Sequence, residues 1–142
     1  MEITRRTDYA TRIMLELARL PEGERASARR LGTLADVSYP FARSIVTDLA
    51  AAGLVDARRG PSGGVSLARP ASEITLYDVV VAIEGGVCLN VCVTEPGYCT
   101  RAGGCSAHSV WEQASAMLAD YLASRDLESL VSESCPSDKK VG

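Results

Sequence analysis

Aromatic residues make up only 5% of this 142-residue chain, so aliphatic side chains must supply most of its core. No apolar run approaches the ~18 residues that a membrane span needs. The opening Met1-Glu2-Ile3-Thr4-Arg5-Arg6 lacks the apolar stretch of a secretory signal. The cytoplasm is therefore the expected compartment. There is no C-x-x-C pair, no nucleotide-binding glycine loop and no histidine–acid constellation, which argues against an enzyme such as a small redox catalyst. Internal repeats and low-complexity segments are also missing. Lysine is absent from residues 1–70, so arginine, the better fork for phosphate and base edges, carries the positive charge there.

That charge is unevenly placed. Residues 1–70 hold eleven Arg against eight Asp and Glu, a net of +3, and residues 71–142 hold four basic against ten acidic residues, a net of −6. A basic front half and an acidic back half fit a nucleic-acid reader joined to something else.

Apolar periodicity gives a mainly α fold with one small β-hairpin. A first helix is expected over Asp8–Leu20, capped by Thr7 and ended by Pro21, with Ala10, Ile13, Met14, Leu17 and Ala18 on one face. Ser27 caps a second, with Leu31, Leu34 and Ala35 inward. After a tight turn at Val37, Ser38 caps a third helix whose stripe is Phe41, Ile45, Val46, Leu49 and Ala50, with Pro40 in its first turn and Gly53 just beyond its end. Two short helices joined by a tight turn make a helix-turn-helix. Strands Leu54–Arg58 and Val65–Ala68 then flank a glycine-rich tip, which is the order of a winged helix. Thr75 caps a helix over Leu76–Glu84, closed by Gly85-Gly86. The stretch Val87–Gly104 has no periodicity. Ser106 is expected to cap a long helix to about Ala123, and a short one follows over Asp126–Val131.

A recognition helix puts its N-terminal residues into the major groove, where each base pair shows its own donor and acceptor pattern. With the apolar stripe inward, Ser38, Tyr39, Arg43, Ser44 and Thr47 face out. In the wing, Arg58 and Arg59 precede Gly60-Pro61-Ser62-Gly63-Gly64. Such a tip lets backbone approach phosphate, as Ser62 can, and lets an arginine reach the minor groove.

Four of the five cysteines lie within 18 residues, spaced Cys88-x3-Cys92-x6-Cys99-x5-Cys105-x2-His108. In a reducing compartment this suggests metal binding or redox sensing rather than disulfides. Structural zinc sites prefer C-x2-C knuckles, whereas iron–sulfur clusters take thiolates from longer glycine-containing loops. Glu95-Pro96-Gly97-Tyr98 and Gly103-Gly104 supply such a loop. The positive end of the long helix favours a thiolate at Cys105. His108, the chain's one histidine, lies a turn further on the same side. Cys88 reads as a small apolar residue, Cys135 as inert, and Trp111 as core or interface.

Taken together, the opening Thr7-Asp8-Tyr9-Ala10, the wing Arg58-Arg59-Gly60-Pro61-Ser62-Gly63-Gly64, the triplet Cys92, Cys99 and Cys105, and the closing Asp126-Leu127-Glu128-Ser129-Leu130-Val131 resemble the IscR/NsrR/RirA family of bacterial iron–sulfur transcription regulators. The resemblance covers about residues 1–131. It implies a homodimer crossed by the helix from Ser106, cluster ligation by Cys92, Cys99 and Cys105, and double-stranded DNA contact through the third helix and Arg59. It leaves two choices for the fourth ligand. Cys105-x2-His108 matches the IscR type with a 2Fe–2S site, although the x6 gap differs by one residue. Asp8 matches the aspartate that the NsrR type supplies from the other subunit to a 4Fe–4S site. Arg43 stands where IscR-like proteins carry glutamate, so operator sequence does not transfer.

The resulting division is a winged helix-turn-helix domain over 1–86, a cysteine-rich cluster loop over 87–105, dimerisation helices over 106–131 and a flexible tail over 132–142. The expected function is a DNA-binding transcriptional regulator sensing iron, redox state or nitric oxide through the cluster. A metal-free thiol switch on the same fold is the alternative.

Overall fold

The computed structural model describes residues 2–133. Its elements run α1 Arg5–Arg19, α2 Ala28–Ala35, α3 Tyr39–Ala51, β1 Val55–Arg58, β2 Gly64–Leu67, a 3-10 turn Ala71–Glu73, α4 Leu76–Glu84, α5 Val91–Thr94, a second 3-10 turn Ala102–Gly104, α6 Ser106–Ala123 and α7 Leu127–Glu133. No helix among the described residues is long and apolar enough to cross a membrane. Cys135 and the expected tail beyond Glu133 lie outside the described residues.

Helix α1 is the hub, packing against α2, α3, α4 and α7. It begins earlier than its periodicity suggests. Thr4, not Thr7, is the N-cap, and its side chain accepts from the Thr7 amide. Thr7 is buried inside the helix and donates its hydroxyl to Glu84 Oε1 at 2.5 Å. The same oxygen accepts from the Thr4 amide at 3.0 Å and the Thr4 hydroxyl at 2.9 Å. A carboxylate at the end of α4 thus closes the N-terminus of α1, where negative charge is favourable. The Thr7 hydroxyl is the main cause that holds the Glu84 carboxyl below its ordinary value of 4.5.

The helix-turn-helix depends on close approach. Helix α2 starts at Ser27, whose side chain accepts from the Arg30 amide. Asp36 takes a left-handed conformation at φ 55°, and the Val37 amide donates to the Gly32 carbonyl at 2.7 Å. A Cβ on Gly32 would stand 2.6 Å from the Val37 carbonyl oxygen and 3.3 Å from Ala42 Cβ. The inner face of α2 is therefore Leu31, Gly32 and Ala35, and Leu34, expected inward, is 46% exposed. On α3 the place expected for Phe41 is taken by Ala42. Phe41 is 54% exposed and sets its ring edge-on to Tyr9, centroids 6.1 Å apart. Ile45, Val46 and Leu49 are buried as the stripe requires. Ser38 is the N-cap of α3 but makes no side-chain cap bond.

Strands β1 and β2 pair antiparallel with Val55 opposite Leu67 and Arg58 opposite Gly64. Ala26 adds a bridge to Val65 through two backbone bonds, 3.0 and 2.7 Å. Helix α4 matches its expected bounds and has a full Thr75–Asp78 capping box. Helix α7 returns to the head. Leu127 is completely buried in the core shared with Ile13, Ile74 and Val79, and its amide donates to the Ile74 carbonyl at 2.9 Å. The last helix therefore packs with the winged helix rather than alongside α6.

Helix α6 contacts α4 and α5. Ser115 is its one buried residue, while Val110, Trp111, Met117 and Tyr121 are exposed, Met117 at 72%. Its N-cap is Cys105 rather than Ser106, which is the first helical residue.

Candidate DNA interface and cysteine site

Helix α3 displays its outward residues as the stripe requires: Ser38, Tyr39, Arg43, Ser44 and Thr47 are all exposed. Tyr39, Arg43 and Thr47 follow one another at four-residue spacing and share a face. Two of the set have internal partners. Ser44 accepts from Arg6 at 2.9 Å, and Arg6 also pairs with Asp48 at 2.5 Å, which ties α3 to α1. Thr47 donates back to the Arg43 carbonyl at 3.1 Å.

The wing is held from below by a residue that sequence reading passed over. The Arg25 guanidinium donates to Ser66 Oγ at 2.9 Å, the Asp56 carbonyl at 2.8 Å and the Gly64 carbonyl at 2.9 Å, and pairs with the Asp56 carboxylate at 3.3 Å. Arg58 Nε shares that carboxylate at 3.0 Å. The two wing arginines therefore differ. Arg58 is ion-paired along its own strand, whereas Arg59 is exposed with no ion pair among the described residues. Ser62 is exposed at the tip. Gly63 permits the turn, because a Cβ there would lie 2.4 Å from the Arg58 carbonyl oxygen. The Arg25–Asp56 pairing has no local sequence signature, since the two residues lie 31 apart in the chain.

The cysteine loop folds back onto α6. Its start is pinned by Ser115, which accepts from the Leu89 amide at 3.1 Å and donates to the Trp111 carbonyl at 2.7 Å. Cys92 lies on α5, Cys99 in the loop, Cys105 at the N-cap of α6 and His108 on its first turn. All four line one cavity of about 190 Å³, with Tyr98 and Trp111 among its walls. Cys92 Sγ and His108 Nδ1 are 3.3 Å apart. Cys88, Cys92, Cys99 and Cys105 are free thiols. Cys88 lies outside the cavity and is half-buried. Asp8 is also outside it, exposed on α1 and paired with Arg12 at 2.7 Å.

Among the described residues no three Cys, His, Asp or Glu side chains converge on a single-ion position. The donors ring the cavity instead. A 4Fe–4S cluster takes one protein ligand at each iron and a 2Fe–2S cluster two, and three thiols with an imidazole around one shared space have the donor chemistry that either requires. The residues present fit the group.

The helix-turn-helix, the arginine-bearing wing and the helical scaffold define a winged-helix DNA-binding transcription regulator. The chain belongs to the Rrf2 family of iron-dependent transcriptional regulators, whose pattern it matches over residues 3–133. The family is one of regulators, not enzymes. A Neisseria meningitidis protein assigned as an HTH-type transcriptional regulator is 28% identical over 133 residues, 94% of this chain and 89% of that one. Solved structures share the fold. CymR, the global cysteine regulator of B. subtilis, superposes with a TM-score of 0.76 at 24% identity, covering 95% of this chain and 99% of that one. IscR of T. potens gives 0.74 at 23% identity, covering 100% and 94%.

Proposed function

We propose that this protein is a homodimeric regulator whose affinity for double-stranded DNA is set by an iron–sulfur cluster held by Cys92, Cys99 and Cys105. The observation that carries the reading is the gathering of these three thiols and His108 around one cavity against α6. The fourth ligand is His108 or Asp8 of the partner subunit. His108 already lines the cavity, and Asp8 must first leave Arg12. When bound, the cluster supplies a centre sensitive to iron supply, oxidants or nitric oxide.

The chain's own residues couple that centre to DNA. Cys105 and His108 fasten the loop to the first turn of α6, Ser115 fastens its start, and α6 passes through Ser124–Asp126 into α7, which docks on the head through Leu127. Rearranging the thiols shifts α6 relative to the head. Two heads on exposed α6 faces then change their spacing, and only one spacing fits successive major grooves. The DNA face comprises Ser38, Tyr39, Arg43, Ser44 and Thr47 in the major groove, with Arg59 in the minor groove and Arg58 and Ser62 beside it.

The test is an anaerobic absorption spectrum with iron and sulfide counts on the wild type, Cys92→Ala, Asp8→Ala and His108→Ala. A brown wild type that bleaches in Cys92→Ala supports the reading, and whichever of the other two also bleaches identifies the fourth ligand. A colourless protein after reconstitution favours the thiol switch. The short Cys92–His108 contact would then be its seat.

A further inference from the structure

The arginines of the winged-helix head divide by their partners. Arg6 is tied to Asp48, Arg25 to Asp56 and the hairpin, and Arg30 to Glu24 at 2.8 Å. Arg29, its neighbour in the first turn of α2, has no carboxylate partner among the described residues. Its guanidinium lies 4.1 Å from the ring centroid of Tyr39, the first residue of α3. Both side chains are exposed.

From this geometry we infer that Arg29, stacked on Tyr39, is a DNA-phosphate clamp that fixes how α3 seats in the groove. The inference rests on the DNA-binding reading above. The Arg29 guanidinium carbon lies over the Tyr39 ring, and its N–H groups, which have no hydrogen-bond partner among the described residues, are available to two phosphate oxygens. The ring removes much of the rotamer freedom that a long side chain would otherwise lose on binding. Ser38 makes no side-chain cap, so first-turn amides of α3 keep their capacity for an outside acceptor beside the same ring. Arg43 follows Tyr39 one turn along the same face, so the clamp sits at the edge of the base-reading surface. In helix-turn-helix proteins the first helix crosses the DNA backbone, and Arg29 is on that helix. A phosphate contact positions without reading sequence. Arg29 is thus a positioning residue, and Arg43 and Arg59 read bases and groove.

The experiment measures binding of the full chain to a short duplex selected against the wild type, and to a random-sequence duplex, across a salt series. Each phosphate contact contributes about 0.9 to the slope of log affinity against log salt. Arg29→Ala, lost from both protomers, is expected to lower the slope by about two and affinity at about 0.1 M salt by ~60-fold. The loss should be similar on both duplexes, with thermal unfolding unchanged. Tyr39→Ala, which removes the ring beneath Arg29, should weaken binding on both duplexes. Arg30→Ala, whose charge Glu24 already neutralises, should leave the slope alone. A wild-type slope in Arg29→Ala, an equal loss in Arg30→Ala, or a loss confined to the selected duplex overturns the clamp. Failure of the wild type to bind any selected duplex would instead overturn the DNA-binding reading itself.

Discussion

Gly63→Ala is a sharp test of how the wing works. The new Cβ would lie 2.4 Å from the Arg58 carbonyl oxygen, and 2.7 and 2.8 Å from the carbonyl carbon and oxygen of Arg59. Ordinary contact begins near 3.4 Å, so the backbone at Arg58 and Arg59 must retreat by about 1 Å. All three atoms are backbone, and no side-chain rotation relieves the clash. The Gly63 amide bond to the Gly60 carbonyl, 2.9 Å, and the Arg58–Gly64 pairing are strained together. Overpacking of this kind costs about 1–3 kcal/mol. The tip is exposed, so the strain is released by displacing the wing, and the core around Ile13, Ile45 and Leu49 is left intact. Arg59 moves with the backbone. A base- or groove-reading arginine is worth about 1–3 kcal/mol, so operator affinity should fall ~5- to 150-fold for each wing displaced. The assay is a double-mutant cycle with Arg59→Ala, read by fluorescence anisotropy on the selected duplex, with Arg125→Ala as a distant control. Gly63→Ala should lose little further affinity once Arg59 is gone. Wild-type binding by Gly63→Ala, full additivity of the two losses, or an equal loss in Arg125→Ala would refute the argument that this glycine acts by placing Arg59.

Three further outcomes are expected. Gly32→Ala drives a Cβ to within 2.6 Å of the Val37 carbonyl oxygen, so thermal unfolding should occur several degrees lower, and DNA binding should weaken as α2 and α3 splay. Glu84 is held below its ordinary 4.5 chiefly by the Thr7 hydroxyl. Its contribution to stability is therefore present above pH 4.5 and is lost as pH falls through the lower folded value, where the unfolded chain binds more protons. Acid unfolding profiles should show Glu84→Gln less pH-sensitive in that window than the wild type. Met117→Asp puts a charge on the most exposed large apolar residue of α6, and sedimentation should show a dimer converted to monomer with the head still folded.

Much of the local structure is written in short-range signals. Ser27 and the Thr75–Asp78 pair cap their helices as their spacing demands, because a cap is a bond between residues two or three apart. The Ile45, Val46 and Leu49 stripe, the hairpin with its glycine tip and the bounds of α4 follow from periodicity and turn chemistry alone. The cysteine spacing similarly marks one loop as the candidate cluster site, although periodicity could not reveal α5 or the way the loop closes on α6.

What tertiary structure decided are the pairings between residues far apart in the chain. Thr7 looks like a cap but is buried, because Glu84, 77 residues away, reaches it. Leu34 and Phe41 are apolar at helical spacing, yet the close approach at Gly32 and Ala42 turns the helices so that both face outward. Arg58 and Arg59 are neighbours in sequence and unlike in space, since of the two only Arg58 is engaged by Asp56. Arg29 and Arg30 divide in the same way, one taken by Glu24 and the other laid on Tyr39. A side chain's type and period constrain which element it joins. Its partner, and so the use of its charge, depends on which surfaces meet when the elements pack.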